Sequence, residues 1–166
     1  LVRILVDPST NRCYNYKKGG NDMEGSITKR IIFMARKMQL CIGERLSKFE
    51  ITAMEEPFFM AIQRNEGATQ EDLTAFVGVD KAVTARAIRS LENKGYLIRK
   101  QDDNDRRQNR VYPTDAMLGI GDSLHEELLC LNHALLKGLS EEQLRVLSET
   151  LSVIEDNLRT MRGTKR

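Results

Sequence analysis

The chain has 166 residues, of which 40% are hydrophobic and 30% charged, and its formal net charge is +2. This length and apolar content predict one domain with its own core, or one domain with an added oligomerisation element. The small net charge excludes a polycationic tail that coats nucleic acid without specificity, and no apolar run approaches the ~20 residues of a membrane-spanning helix.

Residues 1–22 differ in composition from the rest of the chain. Residues 1–6, "LVRILV", are compatible with a short strand, and the later "KKGG" is typical of a linker. Because Met23 follows, we expect residues 1–22 to be a leader, an added segment or an extension of the domain. No stretch combines a basic start, an apolar segment and a small-residue cleavage site, so no secretory signal is predicted.

Two helices are predicted after this segment. Residues 26–48 favour a helix with one apolar stripe, whose members are spaced by 4, 3, 4 and 3 residues: Ile27, Ile31, Met34, Met38 and Cys41. The capping box Thr52-x-x-Glu55 indicates a second helix that runs towards Arg64. Pro57 would cost a backbone hydrogen bond inside such a helix, so the regular helix is expected to begin near Pro57.

A helix-turn-helix pattern comes next. Thr69-x-x-Asp72 is a capping box for the short helix "QEDLTAFV", and Gly78 ends that helix. Asp80 then caps the helix "KAVTARAIRSLENK", which Gly95 terminates. One face of this second helix is apolar and predicts a core contact. The residues that lie mostly off that face are Lys81, Thr84, Ala85, Arg86, Arg89 and Ser90.

The runs "YLIRK" and "VYPT" flank the polar stretch "QDDNDRRQNR". Two short β-type runs around a polar loop predict a hairpin. Arg106, Arg107 and Arg110 lie in or beside this loop, and residues 81–110 carry nine Lys or Arg against four Asp or Glu, a local surplus of +5. Such an asymmetry is typical of a surface that binds phosphates.

Two long helices complete the chain. Thr114 caps the first, and Ser140-x-x-Gln143 is a capping box for the second, which carries apolar residues at alternating spacings of three and four. One chain would not easily bury the stripes of both end helices, which predicts pairing across a twofold axis. The residues expected in the dimer interface are Ile27, Ile31, Met34, Leu147, Leu151, Ile154 and Leu158.

These elements predict a mainly α fold with a small β-hairpin wing (α+β), a winged helix-turn-helix flanked by N- and C-terminal dimerisation helices. Residues 49–114 are expected to form the DNA-binding domain, and residues 26–48 with 115–162 the helical dimerisation region. The free face of the second helix would fit the ~12 Å major groove of double-stranded DNA. The arginines of the hairpin would reach the neighbouring minor groove, so they are expected to be exposed because their partner lies outside the chain.

The stretch "GATQEDLTAFVGVDKAVTARAIRSLENKGYLIRKQDDNDRRQNRVYPT" resembles the winged helix-turn-helix core of the MarR (multiple-antibiotic-resistance regulator) family. The matching pieces are "DKAVTARAIR", "LENKGYLIR" and "DRR", and with the flanking helices the resemblance covers about residues 26–162. It implies a homodimer that binds a pseudo-palindromic operator, usually as a repressor. It also implies a pocket for a small aromatic or amphipathic effector between the dimerisation helices and the DNA-reading lobe.

The resemblance assigns roles by position. Thr84, Arg86 and Arg89 match DNA-facing positions of the recognition helix, and Arg106 or Arg107 matches the wing arginine, with Asp105 as its orienting partner. Adding the residues that border these positions gives the expected DNA-binding set, namely Thr69, Gln70, Lys81, Thr84, Ala85, Arg86, Arg89, Ser90, Arg106, Arg107 and Asn109. For Thr69 and Gln70 the alternatives are backbone donors to a phosphate or simple helix capping.

Other functions remain open or are disfavoured. Some members of the family sense peroxides through a cysteine in the first helix, which makes Cys41 a candidate redox sensor. A winged helix can also bind an acidic protein instead of DNA.

The cysteines are three in number and widely spaced, without a CxxC motif, which predicts a reducing cytoplasmic setting. His125, Cys130 and His133 do not share one helix face, so no metal site is expected. No cofactor and no catalysis are expected, because no nucleophile–base pair or phosphate-binding glycine loop is present.

Overall fold

A computed structural model of the chain describes residues 5–6, 13–14, 26–102 and 106–163. The chain divides into two units, Leu1–Met38 and Gln39–Arg166. The first contains an antiparallel ladder of β1 (Leu5–Val6) with β2 (Cys13–Tyr14) and the beginning of helix α1 (Ile27–Leu46). The prediction that residues 1–22 are a leader, an added segment or an extension falls mostly outside the described residues.

The second unit contains the last turns of α1, a 3-10 turn at Ser47–Phe49, and all later elements. The later helices are α2 (Glu56–Arg64), α3 (Gln70–Val77), α4 (Lys81–Asn93), α5 (Asp115–Leu136) and α6 (Glu141–Gly163). The strands are β3 (Ala68–Thr69), β4 (Leu97–Gln101) and β5 (Asn109–Pro113). The structure therefore confirms the mainly α fold with a small β wing.

Local capping chemistry sets the bounds of α3 and α4. The Thr69 hydroxyl accepts from the Asp72 N–H at 3.1 Å, while the Asp72 carboxylate accepts from the Thr69 N–H at 2.9 Å. Gly78 ends α3 with a φ of 74°, a left-handed conformation that glycine adopts without a Cβ penalty. The Asp80 carboxylate then accepts from the Ala82 and Val83 N–H groups, both at 2.9 Å, and starts α4.

The segment before α2 resolves the expected conflict at Pro57. Thr52 and Glu55 do form the reciprocal bonds of a capping box, with the Thr52 N–H 2.8 Å from the Glu55 carboxylate. However, this box closes a turn, and α2 begins afterwards at Glu56. Pro57 thus lies in the first helical turn, where its missing N–H has no intrahelical partner to lose.

The wing belongs to a three-stranded antiparallel sheet in the order β3-β5-β4. Leu97 pairs with Pro113 and Gln101 with Asn109, which is the predicted hairpin. Strand β3 was not predicted; it pairs Thr69 with Arg110 and so joins the start of α3 to the base of the wing. The wing is therefore attached to the start of the helix-turn-helix through β3.

The core of the second unit fixes α4 against its supports. Helix α3 packs against α2 and α4, and α5 packs against α2 and β5. The fully buried side chains at the centre include Phe58 and Phe59 of α2, Ile88 and Leu91 of α4, and Leu124 of α5. The edge-to-face ring contact between Phe59 and Tyr96, with centroids 5.5 Å apart, adds a directional interaction next to the wing.

Large apolar side chains remain exposed on α1 and α6. Of the predicted dimer residues, Ile27, Met34, Leu147, Leu151 and Leu158 are exposed, whereas Ile31 and Ile154 are half-buried. Apolar rows of this length on single helices are typical of surfaces that a partner covers. Among the residues described, none of the helices has the combination of length and apolar character that a bilayer crossing requires.

Candidate nucleic-acid interface

Helix α4 presents one buried face and one open face. Ala87, Ile88 and Leu91 are buried in the core. On the opposite side, Ala82, Arg86, Arg89 and Asn93 are exposed, and their spacings of 4, 3 and 4 residues place them in one row. Because the core contact fixes the rotation of the helix about its axis, this row is held outward.

Arg86 and Arg89 are the cationic members of the open row. Both side chains are exposed, and within the part of the chain that the structure describes neither guanidinium has an acidic side chain in ion-pair distance. The two residues are separated by three positions, so they project from neighbouring turns of the same face. A row of this kind offers planar donors that suit phosphate oxygens and guanine edges.

Thr84 does not lie on the open face, which corrects its assignment as a DNA-facing residue. Its side chain is fully buried. The Thr84 hydroxyl donates to the Asp80 carbonyl oxygen at 3.1 Å and lies 3.0 Å from the Thr74 hydroxyl of α3. Thr84 therefore joins the two helices of the helix-turn-helix, because a buried hydroxyl requires hydrogen-bond partners within the fold.

Ala85 and Ser90 lie at the edges of the open face and are half-buried. Ser90 lies on the side of α4 that faces the buried Glu55, whose pKa it helps to lower. The roles of Ala85 and Ser90 in DNA binding stay predictions.

Glu55 lies at the centre of a charged cluster below the end of α4. Burial alone would raise the pKa of Glu55, but hydrogen bonds from Lys94, Ser90 and Thr52 outweigh that effect and lower the pKa. The Lys94 ammonium donates to both Glu55 carboxylate oxygens at 2.7 Å and to the Glu50 carbonyl oxygen at 2.7 Å. These bonds fix the carboxyl end of the recognition helix, and sequence patterns gave no signal for them.

The start of α3 was expected either to donate to a phosphate or to be capped. The structure supports capping at Thr69, because both its N–H and its hydroxyl are bonded to the Asp72 carboxylate. Gln70 is half-buried at the first helical position. Lys81, at the start of α4, forms an exposed ion pair with Glu71 at 3.1 Å, and exposed pairs of this kind are weak enough to exchange for a phosphate.

The arginines of the wing divide into two kinds. Arg106 and Arg107 lie in an exposed turn at the tip, and Asn109, at the start of β5, is exposed too. Arg110 instead points to the base of the wing, where it pairs with the buried carboxylate of Asp102. The expectation that the arginines of this loop share one external partner is therefore corrected for Arg110. Asp105, the predicted orienting partner of the wing arginine, lies outside the described residues.

Helix α3, helix α4 and the wing border an open concavity of about 310 Å³. Its walls are predominantly polar and include three cationic residues and one acidic residue. The residues that face it from the helices are Thr69, Gln70, Glu71, Thr74, Lys81 and Ile88, and those from the wing are Arg99, Arg107, Gln108, Asn109 and Val111. Five of the nine predicted DNA-binding residues outside the open row of α4 thus line one depression between the two helices and the wing.

Cys41, the candidate redox residue in α1, is exposed and free, and so is Cys130 of α5. Exposure meets one of the two requirements of a reactive thiol, the other being a cationic environment that stabilises the thiolate. Cys13 contributes its backbone to β2, and its side chain is outside the described residues. The redox hypothesis therefore stays a prediction.

Comparisons with known proteins agree with this architecture. A sequence profile described as MarR family matches residues 51–108. The HTH-type transcriptional regulator YybA of Bacillus subtilis (strain 168) is 24% identical over 132 residues, which cover 80% of this chain and 88% of that protein. A MarR transcriptional regulator from Methanosarcina mazei Go1 superposes with a TM-score of 0.74 at 29% identity, covering 81% of this chain and 97% of its own.

A further similar structure contains nucleic acid. It is a MarR family transcriptional regulator from Listeria monocytogenes, solved in complex with a 26-mer DNA, with 25% identity and a TM-score of 0.74. The match covers 85% of this chain and 97% of the Listeria chain. The described fold, the profile match and these superpositions all converge on the same architecture.

Proposed function

Because the chain belongs to the MarR family of winged helix-turn-helix transcriptional regulators, we propose that it is a dimeric, sequence-specific DNA-binding regulator. It binds a pseudo-palindromic operator, represses the adjacent genes and is released by a small-molecule effector. It performs no catalysis and acts in the cytoplasm.

The observation that carries this proposal is the open row of α4. Arg86 and Arg89 project from a helix whose opposite face is fixed in the core, and within the described residues they have no acidic partner. A guanidinium without a counter-charge gains most from a polyanion, because each neutralised phosphate releases condensed counterions. Arg106 and Arg107 at the wing tip extend the same surface, and base contacts from α4 supply sequence discrimination.

The dimer is supported by the apolar residues of α1 and α6. Ile27 is 68% exposed and Leu158 is 54% exposed, and such rows are costly to leave in water at ~25 cal/mol per Å². Pairing across a twofold axis covers them and repeats the recognition helix on the partner. Two recognition helices about 34 Å apart would read successive major grooves, which is why the operator is expected to be pseudo-palindromic.

Effector release is supported by a second concavity. An open depression of about 760 Å³ lies between the end of α3 with its following turn and helix α6, and its lining includes Phe76 and Leu158. Phe76 is 65% exposed there. A small aromatic or amphipathic molecule would find apolar contacts at this place, and it can shift DNA binding by its differential affinity for the two forms of the dimer.

The test is fluorescence anisotropy with a labelled duplex from the region upstream of the gene and a random-sequence duplex of equal length. We expect specific binding whose affinity falls steeply with salt. Arg89→Ala should weaken operator binding by roughly 5- to 150-fold, and loss of one phosphate contact should lower the salt slope by about 1. Arg145→Ala is the matched control, because Arg145 is exposed on α6 and paired with Glu142 and Glu149.

The result also decides between the functional classes. If the wild-type protein changes the anisotropy of neither duplex at low salt, DNA binding is refuted and the winged-helix module for an acidic protein partner is favoured. If Arg89→Ala and Arg106→Ala both match Arg145→Ala, the assigned surface is wrong even though DNA binding stands. A loss of operator binding on peroxide treatment that Cys41→Ser abolishes would favour the redox-sensing alternative over a small-molecule effector.

A further inference from the structure

Arg110 differs from its neighbours in the wing by pointing towards the protein. Its Nε donates to the carboxylate of Asp102, and its Nη1 donates to the Gly67 carbonyl oxygen at 2.8 Å. Asp102 is 5% exposed, whereas the Arg110 side chain remains 42% exposed. The guanidinium therefore connects the end of β4 to the loop that precedes β3.

Backbone hydrogen bonds also form on both sides of this contact. The Asp102 N–H donates to the Gln108 carbonyl oxygen at 3.0 Å, and the Gly67 N–H donates to the Val111 carbonyl oxygen at 2.9 Å. The two strands of the wing and the β3 loop thus meet at one point, where Asp102 and Arg110 provide the side-chain link.

The same contact reaches the start of the helix-turn-helix. Arg110 is the β5 residue that pairs with Thr69 of β3, and Thr69 caps α3. The pKa of Asp72 is lowered chiefly by its hydrogen bonds from Thr69 and further by the charge of Arg110. A displacement of Arg110 would therefore act on the wing and on the first turn of α3 together.

The chemistry of the pair argues against a role for Arg110 at a phosphate. A carboxylate as buried as that of Asp102 is costly without a counter-charge, so moving Arg110 to DNA would remove a guanidinium that stabilises that carboxylate. The wing tip, by contrast, depends on the angle at its base. Arg107 is three residues from Arg110, a reach of at most about 10 Å, so a rotation of about 10° at the base displaces the tip by up to roughly 2 Å.

We propose that Asp102 and Arg110 are positioning residues, which hold the wing at the angle that places Arg106 and Arg107 in the groove next to the one that α4 enters. This inference rests on the proposed DNA-binding function. Neither residue contacts DNA, and both act through the wing tip.

The first test is Asp102→Asn, measured by anisotropy on the upstream duplex. The substitution removes a negative charge beside the DNA surface, so electrostatics alone would tighten binding. If the pair positions the wing, the change in affinity has the opposite sign, and we expect operator affinity to fall by roughly tenfold. The random-sequence duplex, which depends less on wing geometry, should lose less affinity than the operator.

The second test shows whether the effect passes through the wing tip. Asp102→Asn is combined with Arg106→Ala/Arg107→Ala and, separately, with Arg89→Ala. We expect its tenfold effect to persist in the Arg89→Ala background and to disappear in the background without the tip arginines. Where Asp102→Asn melts below the assay temperature, Asp102→Asn/Arg110→Gln removes both charges together and carries the same test.

The outcomes separate this inference from the proposed function. If the wild type binds neither duplex, the proposed function fails and the inference with it. If the wild type binds its operator but Asp102→Asn binds as tightly or more tightly, the positioning role alone is overturned. An equal loss in all three backgrounds also overturns it, because the pair would then support the lobe in general and not the wing tip.

Discussion

Lys94 offers a direct test of how the recognition helix is held. Its ammonium follows the last turn of α4 and donates three hydrogen bonds of 2.7 Å, two of them to the carboxylate of Glu55. Lys94→Met keeps the length of the side chain and removes the charge. Glu55, whose side chain is 6% exposed, would then be a buried carboxylate without its ionic partner.

The expected loss follows from this geometry. Removing one member of a buried ion pair costs about 3–5 kcal/mol. Two features reduce that value, since Lys94 is itself 25% exposed and the Thr52 N–H and hydroxyl still donate to Glu55 at 2.8 Å. We therefore expect the free energy of unfolding to fall by about 2 kcal/mol, which corresponds to a decrease in Tm of roughly 4–8 °C.

The pH dependence of the loss identifies its cause. In the wild type the pKa of Glu55 is lowered, so its contribution to stability is present above the ordinary glutamate value of about 4.3 and is lost as the pH falls through the lowered pKa. In Lys94→Met the burial effect is less opposed and the pKa should rise. Acid therefore destabilises the variant less than the wild type. The difference between their free energies of unfolding should narrow as the pH falls from about 7 to about 4.5.

Urea denaturation followed by circular dichroism at both pH values measures this deficit. Lys81→Met is the matched control, because Lys81 pairs with Glu71 in the open, at 76% and 80% side-chain exposure, and its loss should change stability by less than about 0.5 kcal/mol. The reasoning is refuted if Lys94→Met is as stable as Lys81→Met near neutral pH, or if its deficit grows as the pH falls.

Three further predictions concern the DNA surface and the dimer. Thr84→Val should lower the free energy of unfolding by about 1 kcal/mol in urea titrations, while operator affinity per folded molecule stays unchanged; a specific loss of affinity would restore Thr84 to the DNA surface. Glu71→Gln frees Lys81 for a phosphate, so binding to a random-sequence duplex should strengthen a few-fold and its salt slope should steepen by up to about 1; an unchanged slope contradicts this role. Leu151→Glu should shift the protein from dimer to monomer in sedimentation equilibrium, whereas Val153→Glu, which lies outside the predicted interface residues of α6, should not; a dimeric Leu151→Glu protein rules out this interface.

Sequence motifs that span four residues or fewer predicted where most of the helices begin. The capping box of Thr69 and Asp72, the Asp80 cap and the Thr114 cap all occur in the structure, and the Ser140 N–H bonds to the Gln143 side chain at 2.8 Å. Each of these caps is a contact between near neighbours, so residue type and spacing suffice to recognise it. For the same reason the helix-turn-helix and the hairpin could be predicted from the sequence.

The unpredicted features depend on distant parts of the chain. Strand β3 is two residues long and exists because Ala68 and Thr69 pair with Val111 and Arg110, which no local pattern indicates. Thr84 was expected outside because a hydroxyl counts as polar in a periodicity, but Thr74 ten residues earlier satisfies it. The charged cluster of Lys94 with Glu55 is likewise set by packing between segments far apart in the sequence.

The local surplus of positive charge did not by itself predict which cations are paired within the lobe. In the structure Lys94, Arg99 and Arg110 are paired with Glu55, Glu92 and Asp102, so much of the positive charge stabilises the lobe. A polyanion gains little from a cation that must first leave a buried acid, because the desolvated acid then loses that counter-charge.

Arg86 and Arg89 are in the opposite situation, exposed and without an acidic partner among the described residues. The buried acids therefore act in two ways at once. Glu55 and Asp102 hold the end of α4 and the base of the wing, and by pairing with Lys94 and Arg110 they neutralise two cations that lie outside the open row of α4. Sequence discrimination would gain from this pairing, since additional cations that bind phosphates would raise the affinity for every duplex alike.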